Sequence, residues 1–478
     1  MTDQDLFVLS PFLILAGGAV LIMLLIALKL THRKIQVISL IIFLFAFISL
    51  YFIEVSLPHA VPPLLIMDGF SAFMIGLILF SGLVINIFSY IYFEEKEEGP
   101  KEYYVLLLLA TLGACTLAMS SHFASLFLGL EILTVGLYAL IAYLRGRTHP
   151  IEAGIKYLIL AAFSSAFLLF GMALIYLETG NMAFGPIAER INNNFYSPLI
   201  ISGIGMMVVG IGFKLAIVPF HWWAADVYQG APAPITAFIA TASKGGVLAV
   251  LLRFFQNVNG LRSETVVISF LFIAIASMII GNLLALRQNN VKRILAYSSI
   301  AHLGYLLVAF LSVGQLAAEA MTFYLVTYFL SSLVAFGVVT LLSSKDHEAE
   351  ELEDYQGLFW QNPVMAVVFT AALLSLAGIP LTAGFIGKFY VLSAATQASQ
   401  WLSSVVLVIG SVIGLFYYLR IITAMFSETD IPEPIERKAH PLFYFFSSLV
   451  LAGVTFLIVW LGVSPGAFMS FMVGLIER

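Results

Sequence analysis

Cysteine is almost missing from this chain: Cys115 is the only one in 478 residues, which excludes an intramolecular disulfide framework and any cysteine-ligated iron–sulfur cluster. Charge is scarce as well. Asp, Glu, Lys and Arg make up 10% of the residues, and a net charge of -5 spread over loops points to neither nucleic-acid nor acidic partners. The short alternating apolar–polar segments of a membrane β-barrel are not there either. What is present is apolar bulk: 61% hydrophobic residues, 41 Phe, a mean hydropathy of +1.02, and windows of about 20 apolar residues recurring from end to end. No soluble fold has an interior for that content, so the pattern predicts an all-α polytopic membrane protein.

Hydropathy places spans near 6–30, 35–53, 70–93, 103–119, 123–144, 153–177, 197–219, 235–255, 264–285, 291–312, 317–343, 363–395, 401–426 and 441–463, fourteen in all. The first is expected to remain as a membrane helix, because residues 1–5 carry two Asp and no Lys or Arg, and the apolar run exceeds a signal peptide's. Loops after odd-numbered spans, with their helix ends, hold Lys29, Arg33, Lys34, Lys96, Lys101, Arg145, Arg147, Arg287, Lys292, Arg293, Lys345, Arg437 and Lys438. The opposite side has Arg190, Arg253, Arg262 and Arg478. Thirteen against four predicts cytoplasmic odd loops, including the acidic segment 346–354, and both termini outside the cytoplasm.

Glu131, Lys156, Lys214, Lys244, His302 and Lys388 fall inside these spans. An ionisable group at mid-membrane costs between about 3 and 10 kcal/mol unless it faces water or another charge, so several in one chain indicate a proton or ion path. The seventh span reads GIGMMVVGIGFKLAIVPFHWW, with Pro219 and Gly210/Gly212 bracketing Lys214; the twelfth reads LLSLAGIPLTAGFIGKFY, with Gly378 and Pro380 before Lys388. Proline removes a backbone donor and is tolerated at that depth where protein or water satisfies the freed carbonyl. Kinking for packing explains either proline alone; a lysine beside each break favours paired discontinuous helices that handle ions. The stretch PFHWWAADVYQGAPAPITAF after the seventh span, with three prolines, adjacent Trp and no Lys or Arg, predicts an interfacial turn; His221 and Asp226 there lack companions for a metal site. Thr241 shares a helix face with Lys244, and Ser298, Ser299, His302 and Tyr305 line one face of the tenth span. Such hydroxyls serve as packing contacts more often than as relays, and it is the lysines among them that suggest proton transfer. Lysine suits this chemistry, since burial lowers its proton affinity and a carboxylate such as Glu131 raises it again.

Five segments carry a family resemblance: GLEILTVGLYAL around Glu131, IKYLILAAFSSAFLLFGMALIY, GFKLAIVPFHWWAADVYQGAPAPITAFIATASK, NVKRILAYSSIAHLGYLLVA and SLAGIPLTAGFIGKFYVL. Over about residues 60–430 they closely resemble the antiporter-like membrane-arm subunits of bacterial NADH:quinone oxidoreductase, respiratory complex I, subunit N in particular, a group related to Mrp-type sodium/proton antiporter subunits. The resemblance implies helices 1–3 in residues 1–98, inverted five-helix repeats in 99–258 and 259–428, and a last helix in 429–478. It implies a proton relay of Glu131, Lys214, Lys244, His302 and Lys388, with Lys156 matching a further lysine of subunit N. It also implies subunits M, K and J as neighbours in a bacterial inner membrane, and NADH, FMN, iron–sulfur clusters and quinone held by partner subunits. The chain's own glycine run at Gly203–Gly210 lacks the strand and the third-glycine spacing of a dinucleotide site. An Mrp-type cation/proton antiporter subunit and a non-pumping scaffold of the membrane arm are the alternatives.

Overall fold

The computed structural model describes residues 2–96, 100–193, 197–258, 263–345, 347–428 and 441–476. The chain opens with α1 Asp3–Val8, α2 Ser10–Ala27 and α3 His32–Ile53, then a hairpin of β1 His59–Val61 and β2 Leu65–Met67, paired antiparallel with Ala60 opposite Ile66. α4 Gly69–Lys96, α5 Glu102–Met119, α6 Phe123–Ile141, α7 Thr148–Thr179, α8 Phe184–Asn193, α9 Pro198–Leu215, α10 Ala224–Gly230, α11 Ala233–Phe238 and α12 Lys244–Asn257 complete the first half. α13 Glu264–Leu286, α14 Val291–Leu311, α15 Gln315–Leu342, α16 Leu358–Gln361, α17 Pro363–Ala377, α18 Ala383–Gln397, α19 Trp401–Met425, α20 Pro441–Val463 and α21 Gly466–Ile476 form the second.

Thirteen helices among the described residues are long and apolar enough to cross a membrane. The predicted crossing 363–395 differs from the others in kind. It is two helices of 15 residues, α17 and α18, each about 22 Å long and therefore short of a hydrocarbon core of about 30 Å. Counted as one discontinuous crossing, the pair makes the fourteenth. The seventh crossing is also broken: α9 stops at Leu215, Ala216 turns left-handed at φ 58°, and the chain resumes as α10. The stretch after Pro219 thus carries a short helix where a turn was expected. It buries Trp223, Ala224, Val227 and Tyr228 against α7 and α14 and leaves Trp222 exposed. The hairpin and the short helices α8 and α21 fall outside the hydropathy pattern, being too short to register in a span-length window.

Burial is graded from rim to centre. Every residue of the 18-residue window in Ala233–Asn257 is buried, and 94% of those in α14 and α15, against 22% in α20 and 28% in α2. Lipid tails are as apolar as leucine, so burial between helices at this depth is won by close packing and polar contacts. Accordingly, the most enclosed helices carry Lys244, Ser299, His302, Tyr305, Tyr324 and Tyr328.

The loop charges gather on two faces. On one, Lys96 and Lys292 meet Glu348, Arg147 donates to the Lys345 carbonyl, and Arg420 donates to the Leu286 and Gln288 carbonyls. These are the loops that the charge alternation assigns to a common side. On the other face lie the hairpin, the Asp5–His59 pair and the Asp68–Arg253 pair. Arg262, Arg437, Lys438, Arg478 and Asp346 lie outside the described residues.

Candidate functional site

Lys214 ends α9, where a cation suits the negative end of the helix dipole. Its Nζ donates to Thr134 Oγ1 at 2.7 Å and lies 5.5 Å from the centre of the Tyr157 ring. Thr134 gives its own proton to the Leu130 carbonyl at 2.7 Å, which leaves its lone pairs to the lysine. Glu131 is three residues before Thr134 on the same face of α6, accepts from Ser165 Oγ at 2.6 Å, and is within electrostatic reach of Lys214 without forming an ion pair with it. Past the break, Trp223 Nε1 donates to the Phe213 carbonyl at 2.9 Å, answering a helix-end acceptor that the α-helical ladder leaves over.

Lys244, 2% exposed, follows a turn of π-helix at Ile239–Ser243 between α11 and α12. A π turn widens the helix by one residue and rotates the side chains after it, a distortion frequent at functional positions. Here it aims Lys244 at α14, where Nζ donates to Ser299 Oγ at 2.7 Å beside the Tyr228 ring at 5.6 Å. One turn on along α14, His302 sets Nδ1 2.6 Å from Tyr324 Oη and Nε2 3.2 Å from Tyr418 Oη, and lies within electrostatic reach of both Lys244 and Lys388.

Lys388 belongs to α18 but reaches back across the second break. Gly378, left-handed at φ 83°, ends α17, and Lys388 Nζ donates to the carbonyls of Leu376 at 2.9 Å and Ala377 at 2.8 Å, and to Ser411 Oγ at 2.7 Å. The break releases the carbonyls and the lysine takes them. The ammonium sits over the Tyr305 ring at 5.3 Å, and Tyr305 Oη accepts from Asn282 Nδ2 at 3.2 Å. Lys214, Lys244, His302 and Lys388 are thus all buried, on α9, α12, α14 and α18, with Glu131 of α6 within electrostatic reach of Lys214.

Lys156 is placed apart from them. Its side chain is 44% exposed near the start of α7 and pairs with Glu152 at 2.8 Å and Asp226 at 3.0 Å, and Asp226 pairs in turn with Arg293 at 2.8 Å. Lys292, counted from the sequence as a loop charge, is instead 1% exposed in the first turn of α14. Sequence reasoning also passed over Thr134, Tyr157, Tyr324, Tyr418 and Ser411. The available signal was their spacing in otherwise apolar spans: Thr134 lies one turn from Glu131, and Tyr324 and Tyr328 are four residues apart on α15, both beside His302. Nothing in composition marks the π turn. Among the described residues no group of three or more His, Cys, Asp or Glu side chains is disposed to hold a metal.

Each of the two broken crossings thus carries a buried lysine, Lys214 at the end of α9 and Lys388 reaching back to the end of α17. Residues 120–414 match the family model described as NADH:quinone oxidoreductase/Mrp antiporter, TM. The chain belongs to this family. Solved structures agree along its whole length. A chain of respiratory complex I from Thermus thermophilus with bound aureothin is 33% identical at a TM-score of 0.83, over 96% of this chain and 98% of that one. A chain of the membrane-bound sulfane sulfur reductase, an archaeal respiratory membrane complex, is 25% identical at a TM-score of 0.85, over 99% and 97%. A chain of the Mrp complex from Dietzia sp. DQ12-45-1b shares the fold at a TM-score of 0.86 and 20% identity, over 100% and 97%. The chain is therefore an antiporter-like integral membrane subunit of the complex I and Mrp family.

Proposed function

We propose that this chain is a proton-translocating membrane subunit of a bacterial NADH:quinone oxidoreductase, and that protons pass along Glu131, Lys214, Lys244, His302 and Lys388 with water between them. The observation that carries this is the set of buried lysines itself: each ammonium contacts a hydroxyl at 2.7 Å, and at the second break Lys388 also takes the freed carbonyls of Leu376 and Ala377. Each lysine can take up and release a proton while its hydroxyl and carbonyl partners stay in place, and separating Glu131 from Lys214 lowers the proton affinity of that lysine. In this reading Lys156, with Glu152 and Asp226, serves at the mouth of the path.

NADH, FMN, iron–sulfur clusters and quinone are assigned to partner subunits, with subunits M, K and J as membrane-arm neighbours and this chain as subunit N. The two five-helix runs, α5 to α12 and α13 to α19, each with its broken helix in fourth place, support inverted repeats over residues 99–258 and 259–428. The basic face is assigned to the cytoplasm and the termini to the periplasmic side of the inner membrane. Identity favours complex I over the Mrp complex, 33% against 20%, at similar coverage. Purification of the tagged chain from gently solubilised membranes tests the assignment. Flavin- and iron–sulfur-bearing partners are expected; a set of purely membrane partners would assign the chain to an Mrp-type antiporter instead.

A further inference from the structure

The basic face holds a buried charge cluster that the relay does not use. Glu348, on the segment after α15, accepts from Lys96 Nζ at 2.6 Å and from Tyr92 Oη at 2.8 Å, both on α4. Lys292 Nζ donates to the same carboxylate over a longer 3.4 Å and to the Ala231 carbonyl at 2.7 Å. One carboxylate thus faces two ammonium groups and holds Lys96 the more closely. Lys292 keeps a loose counter-ion and one neutral acceptor, at the positive end of the α14 dipole, where a cation is disfavoured.

Two features connect Lys292 to Lys244. A cavity of about 100 Å³, large enough for water, is lined by Lys292, Glu348, Tyr92 and Arg147 and adjoins Ala231. Inward, Lys292 and Ser299 lie seven residues apart on one face of α14, roughly 10 Å along its axis, and Ser299 Oγ holds Lys244 Nζ. Between them sit the Ala231 carbonyl and Tyr228, whose Oη is 3.5 Å from Ser299 Oγ.

We propose that Lys292 is a proton-loading residue of the relay, which takes protons from the basic face and passes them to Lys244. A hydronium in the cavity protonates the Lys292 amine. The ammonium returns a proton to water on the Tyr228–Ser299 side, and that water protonates the Lys244 amine; one proton moves and no other bond changes. Glu348 sets the readiness of this transfer by its charge, with Tyr92, Arg147, His149 and Glu350 as the other charged or titratable groups lining the cavity and Lys96 paired to Glu348 beside it.

The inference rests on the proton-relay function, and the test separates the two. Lys292→Met, Lys292→Arg, Lys292→His and Glu348→Gln are built into the intact complex beside Lys244→Met. Proton uptake per NADH oxidised is followed from about pH 6 to 8 at matched amounts of assembled complex. Lys292→Met and Lys292→Arg are expected to lower uptake on the order of tenfold, since guanidinium keeps the charge but does not release its proton. Lys292→His should retain more than the arginine variant, with its optimum moved to lower pH. Glu348→Gln, which leaves the lysine in place, should shift the alkaline limb toward acid because the ammonium loses its counter-charge. Wild-type uptake in Lys292→Arg, or an unmoved profile in Glu348→Gln, overturns the loading role. Wild-type uptake in Lys244→Met overturns the relay itself.

Discussion

Gly378→Ala tests how far function depends on the geometry of the second break. Two penalties follow from the structure. At φ 83° an L-residue costs about 1–2 kcal/mol relative to glycine. In addition, the new Cβ would stand 2.7 Å from Lys388 Cδ and 3.2 Å from Nζ, so the side chain must retreat until contact returns to at least 3.4 Å. Its three hydrogen bonds, at 2.7–2.9 Å, do not survive such a retreat together. The strain is small beside the packing of fourteen crossings, so the complex should assemble. Proton transfer is less forgiving: a misplacement near 1 Å can cost about a hundredfold, and with water filling part of the gap a loss on the order of tenfold is expected. The assay is proton uptake into inside-out vesicles with NADH oxidation followed in parallel, and Gly205→Ala is the control, since a Cβ there meets nothing within 4 Å. Normal uptake in Gly378→Ala would refute the dependence on Lys388 placement.

Lys388→Ala should impair uptake more than Pro380→Ala, because α18 has no other Lys, Asp, Glu or His to take its place, whereas flanking helices hold the break; the reverse order would make the break the functional element. Lys214→Ala and Glu131→Ala should each depress redox-linked uptake with the complex assembled, and Lys214→Arg should fail to restore it; wild-type uptake in the alanine variants counts against the relay. On the opposite face, burial alone would raise the Asp68 carboxyl, but its paired bonds with Arg253 at 2.7 and 2.8 Å, with help from Ser71, hold it below the usual carboxylate range. A lowered folded pKa stabilises above the unfolded value of about 4 and is lost as pH falls through the folded one. Protection of the β1–β2 amides should therefore hold down to about pH 4 and fall below it, and Arg253→Gln, which leaves the carboxylate partly buried without its cation, should lower protection at neutral pH and abolish that acid-side loss; an unmoved profile would show that the pair does not anchor the hairpin.

The architecture was largely legible because hydropathy reports the solvent a helix meets, and thirteen helices long and apolar enough to cross, among the described residues, follow from it directly. The breaks were legible too, since Pro219, Gly378 and Pro380 have few roles at that depth. Where the chain goes after a break was not. Pro219 and the Trp pair suggested an interfacial turn, whereas the structure forms a further short helix there, α10, whose Trp223 and Tyr228 are buried by tertiary packing. Charge position misled in both directions. Lys156 falls inside an apolar window yet is half-exposed with two carboxylates, whereas Lys292 sits at a span edge yet is buried, because Glu348 folds over it from a segment some 56 residues away. The π turn directly before Lys244 leaves no trace in composition.

Proton uptake by Lys244→Met vesicles, measured against NADH oxidation at equal content of assembled complex, tests the central claim most directly. Lys244 is the midpoint of the proposed path, wholly enclosed, and methionine keeps most of its volume without a transferable proton. Fewer protons per NADH, or uptake and oxidation slowed together, is the predicted result. Uptake and oxidation both at wild-type rates, with the complex intact, would contradict passage of protons through this subunit along Lys214, Lys244, His302 and Lys388.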